Sequence, residues 1–382
     1  MHVAQVNLAY DPRLHDPEAL LERYDTLVGW SEALLRAGAA RVTVAQRFGS
    51  DADVERNGVR YLFRKDGGPA RARAWTRTPH LRHDLAARAP DVVHVNGLLF
   101  PLQTWALRRA LPRGTALVVQ DHGGFGPADV SLPAWIWRTS HAGVDAFLFS
   151  AATQADEWRA ARLIRPDAPI VGIPESSRPQ PVLSREEARR RAALLGDPAV
   201  LWVGRLNANK DPLTVLDAFA QTRARLPRAA LTLVFTEGDL RDAVNARVAA
   251  TPELAASVHL RGPVPAEETP ALFAAADLFV LGSRREGSGY ALLEALAAGA
   301  IPVVTDIPSF RAFTAEGTIG ALWPAGDPAA CAAALLAMGT GDLETRRRAA
   351  ARHFEEALSW RAVGQRALAA YREVLARRRG AR

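Results

Sequence analysis

The sequence is poor in cysteine and in long apolar runs. Its one cysteine, Cys331, excludes an intrachain disulfide and a cysteine metal cluster. No apolar run is long enough to span a bilayer. The first ten residues, MHVAQVNLAY, lack the basic and apolar regions of a signal peptide and instead suit a first strand. These features predict a cytoplasmic protein.

Basic residues outnumber acidic residues, but they are not concentrated in one segment of the sequence. The chain has 48 Lys and Arg residues against 41 Asp and Glu residues, an excess that could suit nucleic acid or an anionic membrane. The basic residues are spread along the chain, with a short cluster at Arg377-Arg378-Arg379. This spread favours a solvated surface with an anion-binding cleft and argues against nucleic acid as a partner.

Lysine is rare, since only Lys65 and Lys210 occur among the 48 basic residues. Where arginine is the usual cation, a lysine can mark a site that needs a compact ammonium group. The alternative is a surface lysine that has persisted by chance.

Apolar runs and segments of helical periodicity alternate along the chain, and 382 residues are enough for two domains. The segment 174–184 is rich in Pro and Ser and predicts a linker. We therefore predict an α/β protein with two doubly wound, Rossmann-like domains, residues 1–178 and 179–361, that face each other across a cleft. A C-terminal helix, about 362–382, could pack back on the first domain.

One stretch, 278–306, combines two strands with a loop and a helix. The patterns predict these elements over 278–281, 290–298 and 301–305. Ligands bind beyond the carboxyl ends of strands in such sheets. The amides of Ser288, Gly289 and Tyr290 would lie at a helix N-terminus, which favours a phosphate, and Gly287 lets the backbone approach it.

Two glutamates, Glu286 and Glu294, flank this predicted anion site. A carboxylate is a poor neighbour for phosphate alone, but it accepts hydrogen bonds strongly from sugar hydroxyls. A nucleotide sugar carries both groups. The alternative is a packing turn with two solvated glutamates.

A second loop, 204–212, presents Arg205 and Lys210 before a helix that has Pro212 in its first turn. Two cations at a helix N-terminus suit a pyrophosphate.

Two histidines lie at strands predicted in the first half, His94 within the strand 91–96 and His122 just after the strand 116–120. His122 precedes two glycines that allow a ligand close approach, which predicts a role in the site. His94 lies between two valines, and we predict that it packs against a neighbouring strand. The basic, aromatic segment 64–83 could contact an anionic membrane or an acidic acceptor, although a solvated helix face anchored by one Trp is favoured.

The second half resembles the family-4 type of retaining glycosyltransferases with the GT-B fold. The resemblance covers most of 198–330 and is looser over 1–180. The residues that carry it are Val203-Gly204-Arg205-Leu206 with Lys210-Asp211, Ala275-Ala276-Asp277-Leu278-Phe279-Val280, Glu286-Gly287-Ser288-Gly289 with Glu294-Ala295, Gly299 and Pro302-Val303-Val304. The two glutamates match the family's E-x7-E motif.

The resemblance implies transfer of a sugar from a nucleoside-diphosphate sugar with retention of configuration, without a metal or another cofactor. No clear Asp-x-Asp metal motif is present, in agreement with this. Arg205 and Lys210 would hold the diphosphate and stabilise its leaving charge. Glu286 would bind the donor sugar and Glu294 the ribose. His122 would lie near the anomeric centre, and closure of the domains would exclude water.

The chain departs from the family after the first strand, where Ala9-Tyr10-Asp11-Pro12-Arg13 replaces the usual Gly-rich loop. Ser288 stands where an aromatic residue is common. The acceptor is therefore open among a small molecule, a glycan and a lipid-linked sugar, and peripheral membrane contact is compatible with each. Two alternatives to transfer stay open, a catalytically silent GT-B-like scaffold or binding protein and another GT-B enzyme such as a nucleotide-sugar epimerase.

Overall fold

A computed structural model describes residues 1–66, 76–130, 132–177 and 183–380, and the chain divides into two compact units. Unit 1 comprises Met1–Ser176 and Trp360–Arg382, and unit 2 comprises Ser177–Ser359. Part of the predicted basic segment, 67–75, and part of the predicted linker, 178–182, lie outside the described residues. Within the described residues, no helix is both long and apolar enough to cross a bilayer.

The strands and helices alternate along both units. The strands are β1 His2–Asn7, β2 Arg41–Phe48, β3 Ala52–Arg56, β4 Val59–Lys65, β5 Val92–Asn96, β6 Ala116–Gln120, β7 Ala146–Phe149, β8 Ile170–Gly172, β9 Ala199–Arg205, β10 Ala230–Thr236, β11 Val258–Gly262, β12 Leu278–Leu281, β13 Ile301–Thr305 and β14 Ala321–Trp323. The helices are α1 Pro17–Arg23, α2 Asp25–Arg36, α3 Pro79–Arg88, α4 Pro101–Ala110, α5 Ala134–Ser140, α6 Ala155–Ala160, α7 Arg185–Ala192, α8 Pro212–Thr222, α9 Arg241–Ala250, α10 Pro252–Ala255, α11 Thr269–Ala275, α12 Tyr290–Ala297, α13 Pro308–Phe313, α14 Pro328–Met338, α15 Leu343–His353 and α16 Trp360–Gly380.

Unit 1 is built on an eight-stranded sheet with the order β3-β4-β2-β1-β5-β6-β7-β8. Neighbouring strands are parallel except for the antiparallel pair β3 and β4. Helix α16 packs against α2 so closely that a Cβ atom at Gly364 would lie 2.5 Å from the Ala33 carbonyl oxygen. The last helix therefore completes the apolar core of the first unit.

Unit 2 is built on a six-stranded sheet with the order β11-β10-β9-β12-β13-β14. All its neighbouring strands are parallel. The strand order reverses between β9 and β12, which makes the carboxyl ends of these two strands the switch point where ligands bind in such sheets.

A buried carboxylate ties the opposite, amino edge of this sheet together. Asp277 is fully buried and accepts hydrogen bonds from Arg189 Nη2 at 2.6 Å and from Ala199 N at 2.8 Å, and it also pairs with Arg185. Its position just before β12 makes it a link between α7 and the two central strands. Asp277, which belongs to the Ala275-Ala276-Asp277 part of the family resemblance, therefore has a structural role.

Several predicted elements differ from the structure. Strand β3 was missed, because its residues alternate in burial and it forms a strand only by pairing with β4 at the sheet edge. Helix α2 is preceded by a separate short helix, α1, and α15 ends at His353 and is followed by one π-helical turn, Phe354–Leu358. The first part of the predicted linker, 174–177, is buried rather than solvated.

Candidate functional site

Lys210 and Glu286 form an ion pair where the carboxyl ends of β9 and β12 meet, although 76 residues separate them in the sequence. Their side chains are 20% and 13% exposed, so water screens the pair only partly. Ser283 Oγ donates a hydrogen bond to the same Glu286 oxygen at 2.7 Å. Thr305 Oγ1 in turn donates to the Ser283 carbonyl oxygen at 2.5 Å, which connects the site to β13.

The loops that carry this pair are held together by Asn209. Its side-chain amide donates to the Arg285 carbonyl oxygen at 3.0 Å, and its side-chain oxygen accepts from Arg285 N at 3.1 Å. Arg284 Nη2 lies 2.9 Å from Asp211 Oδ2, and Asp211 adopts a left-handed backbone with φ of 43°. Such cross-links position the ammonium and carboxylate groups before any ligand binds.

Helix α12 begins beside Glu286. Its N-cap, Gly289, has φ of 56°, and a Cβ atom there would lie 2.9 Å from Phe313 Cε2. Both facts favour glycine at this position. Tyr290 begins the helix and is 40% exposed, while Glu294 is half-buried in the second turn.

The remaining predicted donor residues lie around the same loop or at the end of β9. Gly287 is buried and Ser288 is half-buried. Arg205 was predicted to lie in a loop but is the last residue of β9, in register with Thr236 of β10, and it is exposed. Within the described residues, its guanidinium makes no ion pair with Glu286, so the structure does not bring this cation into the Lys210 pair.

In unit 1, His122 follows β6 and binds a carboxylate that the sequence analysis did not identify. Its Nδ1 atom lies 2.6 Å from Oε1 of Glu175, and the two side chains are 41% and 4% exposed. Burial opposes the charged imidazole, but the Glu175 carboxylate outweighs it and raises the pKa of His122 above its usual value. Glu175 therefore fixes one ring nitrogen of His122 and favours its charged form.

His94 belongs to the core rather than to a site. Its Nδ1 atom lies 2.7 Å from the hydroxyl of Tyr371 on α16, and its ring also packs edge-on against Trp30. Burial lowers the pKa of His94 to about 3. The ring faces helices α2 and α16, and the side chain of Gln120 on the neighbouring strand β6 also interacts with it.

The predicted basic segment is partly neutralised where it is described. Arg64 pairs with both Asp53 and Asp84. An Asp-x-Asp sequence does occur at Asp51-Ala52-Asp53, but Asp51 Oδ1 accepts from Lys65 N at 2.7 Å and Asp53 also pairs with Arg60. These aspartates hold the β3–β4 hairpin.

Two family models match the chain, one in each unit. The model described as Glycosyltransferase Family 4 matches residues 26–174, and the model described as Glycosyl transferases group 1 matches residues 197–340. The chain belongs to the family-4 type of glycosyltransferases. The family resemblance predicted from the donor motifs is thereby confirmed.

Relatives of this glycosyltransferase include two proteins named GDP-mannose:cellobiosyl-diphosphopolyprenol alpha-mannosyltransferase. The one from Xanthomonas campestris is 29% identical over 62% of this chain and 61% of its own length, which is less than two thirds. The one from Xanthomonas oryzae pv. oryzae is 28% identical over 76% of each chain. A solved E. coli structure, titled trehalose-6-phosphate bound with UDP-2-fluoro glucose, aligns with a TM-score of 0.70 at 12% identity over 98% of this chain and 99% of that one. The GT-B fold is confirmed.

Glu175 is the residue of this glycosyltransferase that motif analysis missed. It lies in the Pro- and Ser-rich segment after β8, where no periodicity marks it. One signal was available, because a carboxylate that follows a parallel strand lies at the same sheet edge as the residues that follow β6. That edge is where His122 lies.

Proposed function

We propose that the protein transfers a sugar from a nucleoside-diphosphate sugar to a lipid-linked sugar acceptor, with retention of configuration and without a metal ion. The observation that carries the proposal is the Lys210–Glu286 pair at the switch point of unit 2. It sets an ammonium group and a carboxylate side by side, next to the N-terminus of α12. The ammonium group and the helix N-terminus suit a diphosphate, and the carboxylate suits the hydroxyls of a sugar.

In this proposal, Lys210 binds the diphosphate, and its charge stabilises the electron pair that the diphosphate takes when the bond to the anomeric carbon breaks. The acceptor hydroxyl forms the new bond to that carbon, and its proton passes to the departing diphosphate. Glu286 holds hydroxyls of the donor sugar, and Glu294 holds the ribose. Arg205 extends the diphosphate site from the end of β9. The placement of His122 near the anomeric carbon stays a prediction.

GDP-mannose is the first donor to test, and a sugar-diphosphopolyprenol is the first acceptor. Both choices follow from the names of the two Xanthomonas relatives. The Trp and Arg side chains exposed on unit 1, described below, also suit an acceptor held in a membrane.

The test is a thermal-shift screen with UDP, GDP, ADP, TDP and their sugars, each with and without EDTA. A ligand at about 100 times its Kd stabilises the folded state by about 2.7 kcal/mol. We expect one base to raise the Tm, with no effect of EDTA. Absence of a shift with every nucleotide would favour a silent scaffold, and loss of the shift in EDTA would contradict metal independence.

A transfer assay then separates a transferase from an epimerase that uses the same donor. The expected result is a sugar added to the acceptor lipid with release of the nucleoside diphosphate. Conversion of the donor sugar in the absence of any acceptor would support the epimerase.

A further inference from the structure

Two helices of unit 1 each expose a tryptophan. Trp105 on α4 is 44% exposed and Trp135 on α5 is 64% exposed. Phe125, in the segment between β6 and α5, is 45% exposed. Exposed aromatic side chains of this size on neighbouring elements mark an interaction surface more often than isolated apolar residues do.

The topology places the two tryptophans on one side of the sheet. Helix α4 connects β5 to β6, α5 lies between β6 and β7, and these three strands are parallel neighbours. Because such crossovers are right-handed, both helices cover the same face, and they contact each other. Trp105 lies in the second turn of α4 and Trp135 in the first turn of α5. Both therefore lie towards the carboxyl edge of the sheet, the edge that carries His122.

The charge of the helix pair is of one sign. Helix α4 contains Arg108 and Arg109, α5 contains Arg138, and neither helix contains Asp or Glu. The guanidinium of Arg109 stacks on Trp105 with its carbon 5.0 Å from the ring centre. Arg138 is exposed and follows Trp135 by one turn. Each tryptophan thus has an arginine one turn farther from the carboxyl edge.

Within the described residues, neither Arg109 nor Arg138 forms an ion pair with a carboxylate. Asp129, in the segment before α5, accepts a hydrogen bond from the backbone N of Gly126 at 2.7 Å. The helix surface is left with cations beside aromatic rings.

We propose that the surface formed by Trp105, Arg109, Trp135 and Arg138 binds an anionic lipid bilayer. Tryptophan side chains favour the interface between headgroups and acyl chains. Arginines one turn away can reach lipid phosphates while the rings enter the interface. Binding in this way brings the carboxyl edge of unit 1, with His122, close to the bilayer. The surface lies outside the basic segment 64–83, whose Arg64 is already paired with aspartates.

The experiment is flotation of the 382-residue protein with vesicles of phosphatidylcholine alone or mixed with phosphatidylglycerol, without donor or acceptor. We expect binding to the anionic vesicles that weakens as salt is added. Each arginine near such a surface contributes about fivefold to the binding constant, so Arg109→Gln with Arg138→Gln should weaken binding by roughly 25-fold. Trp105→Ala with Trp135→Ala should weaken it by at least roughly tenfold, because apolar area no longer leaves water.

Two variants of unit 2 serve as matched controls. Leu195→Ala removes another exposed apolar side chain, which is 55% exposed. Arg190→Gln with Arg191→Gln removes the same formal charge from α7, where both arginines pair with glutamates one turn earlier. We expect both controls to float with anionic vesicles as the unchanged protein does.

Three outcomes would overturn the proposal. They are no binding to anionic vesicles, equal binding by the Trp and Arg variants, and a tryptophan-dependent dimer in sedimentation that does not bind vesicles. The dimer would mean that a second copy of the chain covers the surface. Nucleotide binding is measured separately by thermal shift, so failure of the proposed transfer reaction is distinguishable from failure of membrane binding.

Discussion

The Nδ1 atom of His122 lies 2.6 Å from Oε1 of Glu175, so a buried carboxylate orients a partly exposed imidazole at the carboxyl edge of unit 1. The bond joins residues 53 positions apart in the sequence. The contact with Glu175 uses Nδ1 and not Nε2, the other nitrogen of the ring. The same contact makes the charge of His122 depend on Glu175.

Glu175→Gln should lower the pKa of His122, because the amide can still accept a hydrogen bond but carries no charge. In the unchanged protein the pKa in the folded state is raised above 6.5. The stability that charged His122 gives the folded state is therefore fully present below pH 6.5. It is lost as the pH rises through the raised pKa of His122. The free energy of unfolding, measured with denaturant at a series of pH values, should show this loss for the unchanged protein and not for Glu175→Gln. Identical pH profiles would mean that Glu175 does not control the charge.

Lys210→Ala should weaken binding of the nucleoside diphosphate by roughly 10- to 100-fold. A hydrogen bond to a charged group contributes about 1.5–3 kcal/mol. Isothermal titration with the nucleotide identified in the thermal-shift screen measures the change. Lys65→Ala is the matched control, because the other lysine lies exposed at the end of β4 in unit 1. Equal affinity of the Lys210 variant and the unchanged protein would place the diphosphate elsewhere.

Glu286→Gln should reduce sugar transfer by roughly 10- to 100-fold and leave free nucleotide binding within about threefold, because the carboxylate is proposed to hold the sugar. Glu294→Gln should instead weaken free nucleotide binding, since Glu294 is proposed to hold the ribose. Transfer rates and nucleotide affinities of the two variants form the comparison. Equal losses in both measurements for Glu286→Gln would show that this residue does not act on the sugar.

Ser283→Ala is a further control for that comparison. Its hydroxyl donates to Glu286 at 2.7 Å, so the variant loosens the carboxylate without removing its charge. A smaller loss of transfer than in Glu286→Gln is expected.

Asp277→Asn should lower the free energy of unfolding of unit 2 by about 3 kcal/mol, because it leaves Arg185 and Arg189 without their carboxylate. Nucleotide affinity below the unfolding transition should not change, since Asp277 lies at the opposite edge of the sheet from Lys210. Asp197→Asn, which removes an exposed partner of Arg228, should cost less than about 1 kcal/mol. Equal destabilisation by the two variants would contradict the structural role given to Asp277.

The central strands could be predicted from sequence with accurate bounds. The predicted strands 116–120, 278–281 and 301–305 are the strands β6, β12 and β13. Each is a parallel strand buried along its whole length, and such strands have nearly continuous apolar sequences that mark their bounds. Strand β3 and the last residues of β9 could not be predicted in this way, because pairing with a neighbour and not apolar pattern defines them.

The sequence by itself determined the fold class and the family, because local apolar patterns and short motifs carry that information, and the same motifs predict the donor-site residues. Only the tertiary structure decided that Lys210 pairs with Glu286, that Glu175 holds His122 and that Asp277 anchors α7. These contacts join residues 76, 53 and 88 positions apart. They depend on which strands become neighbours in each sheet, and no local stretch of sequence contains that choice.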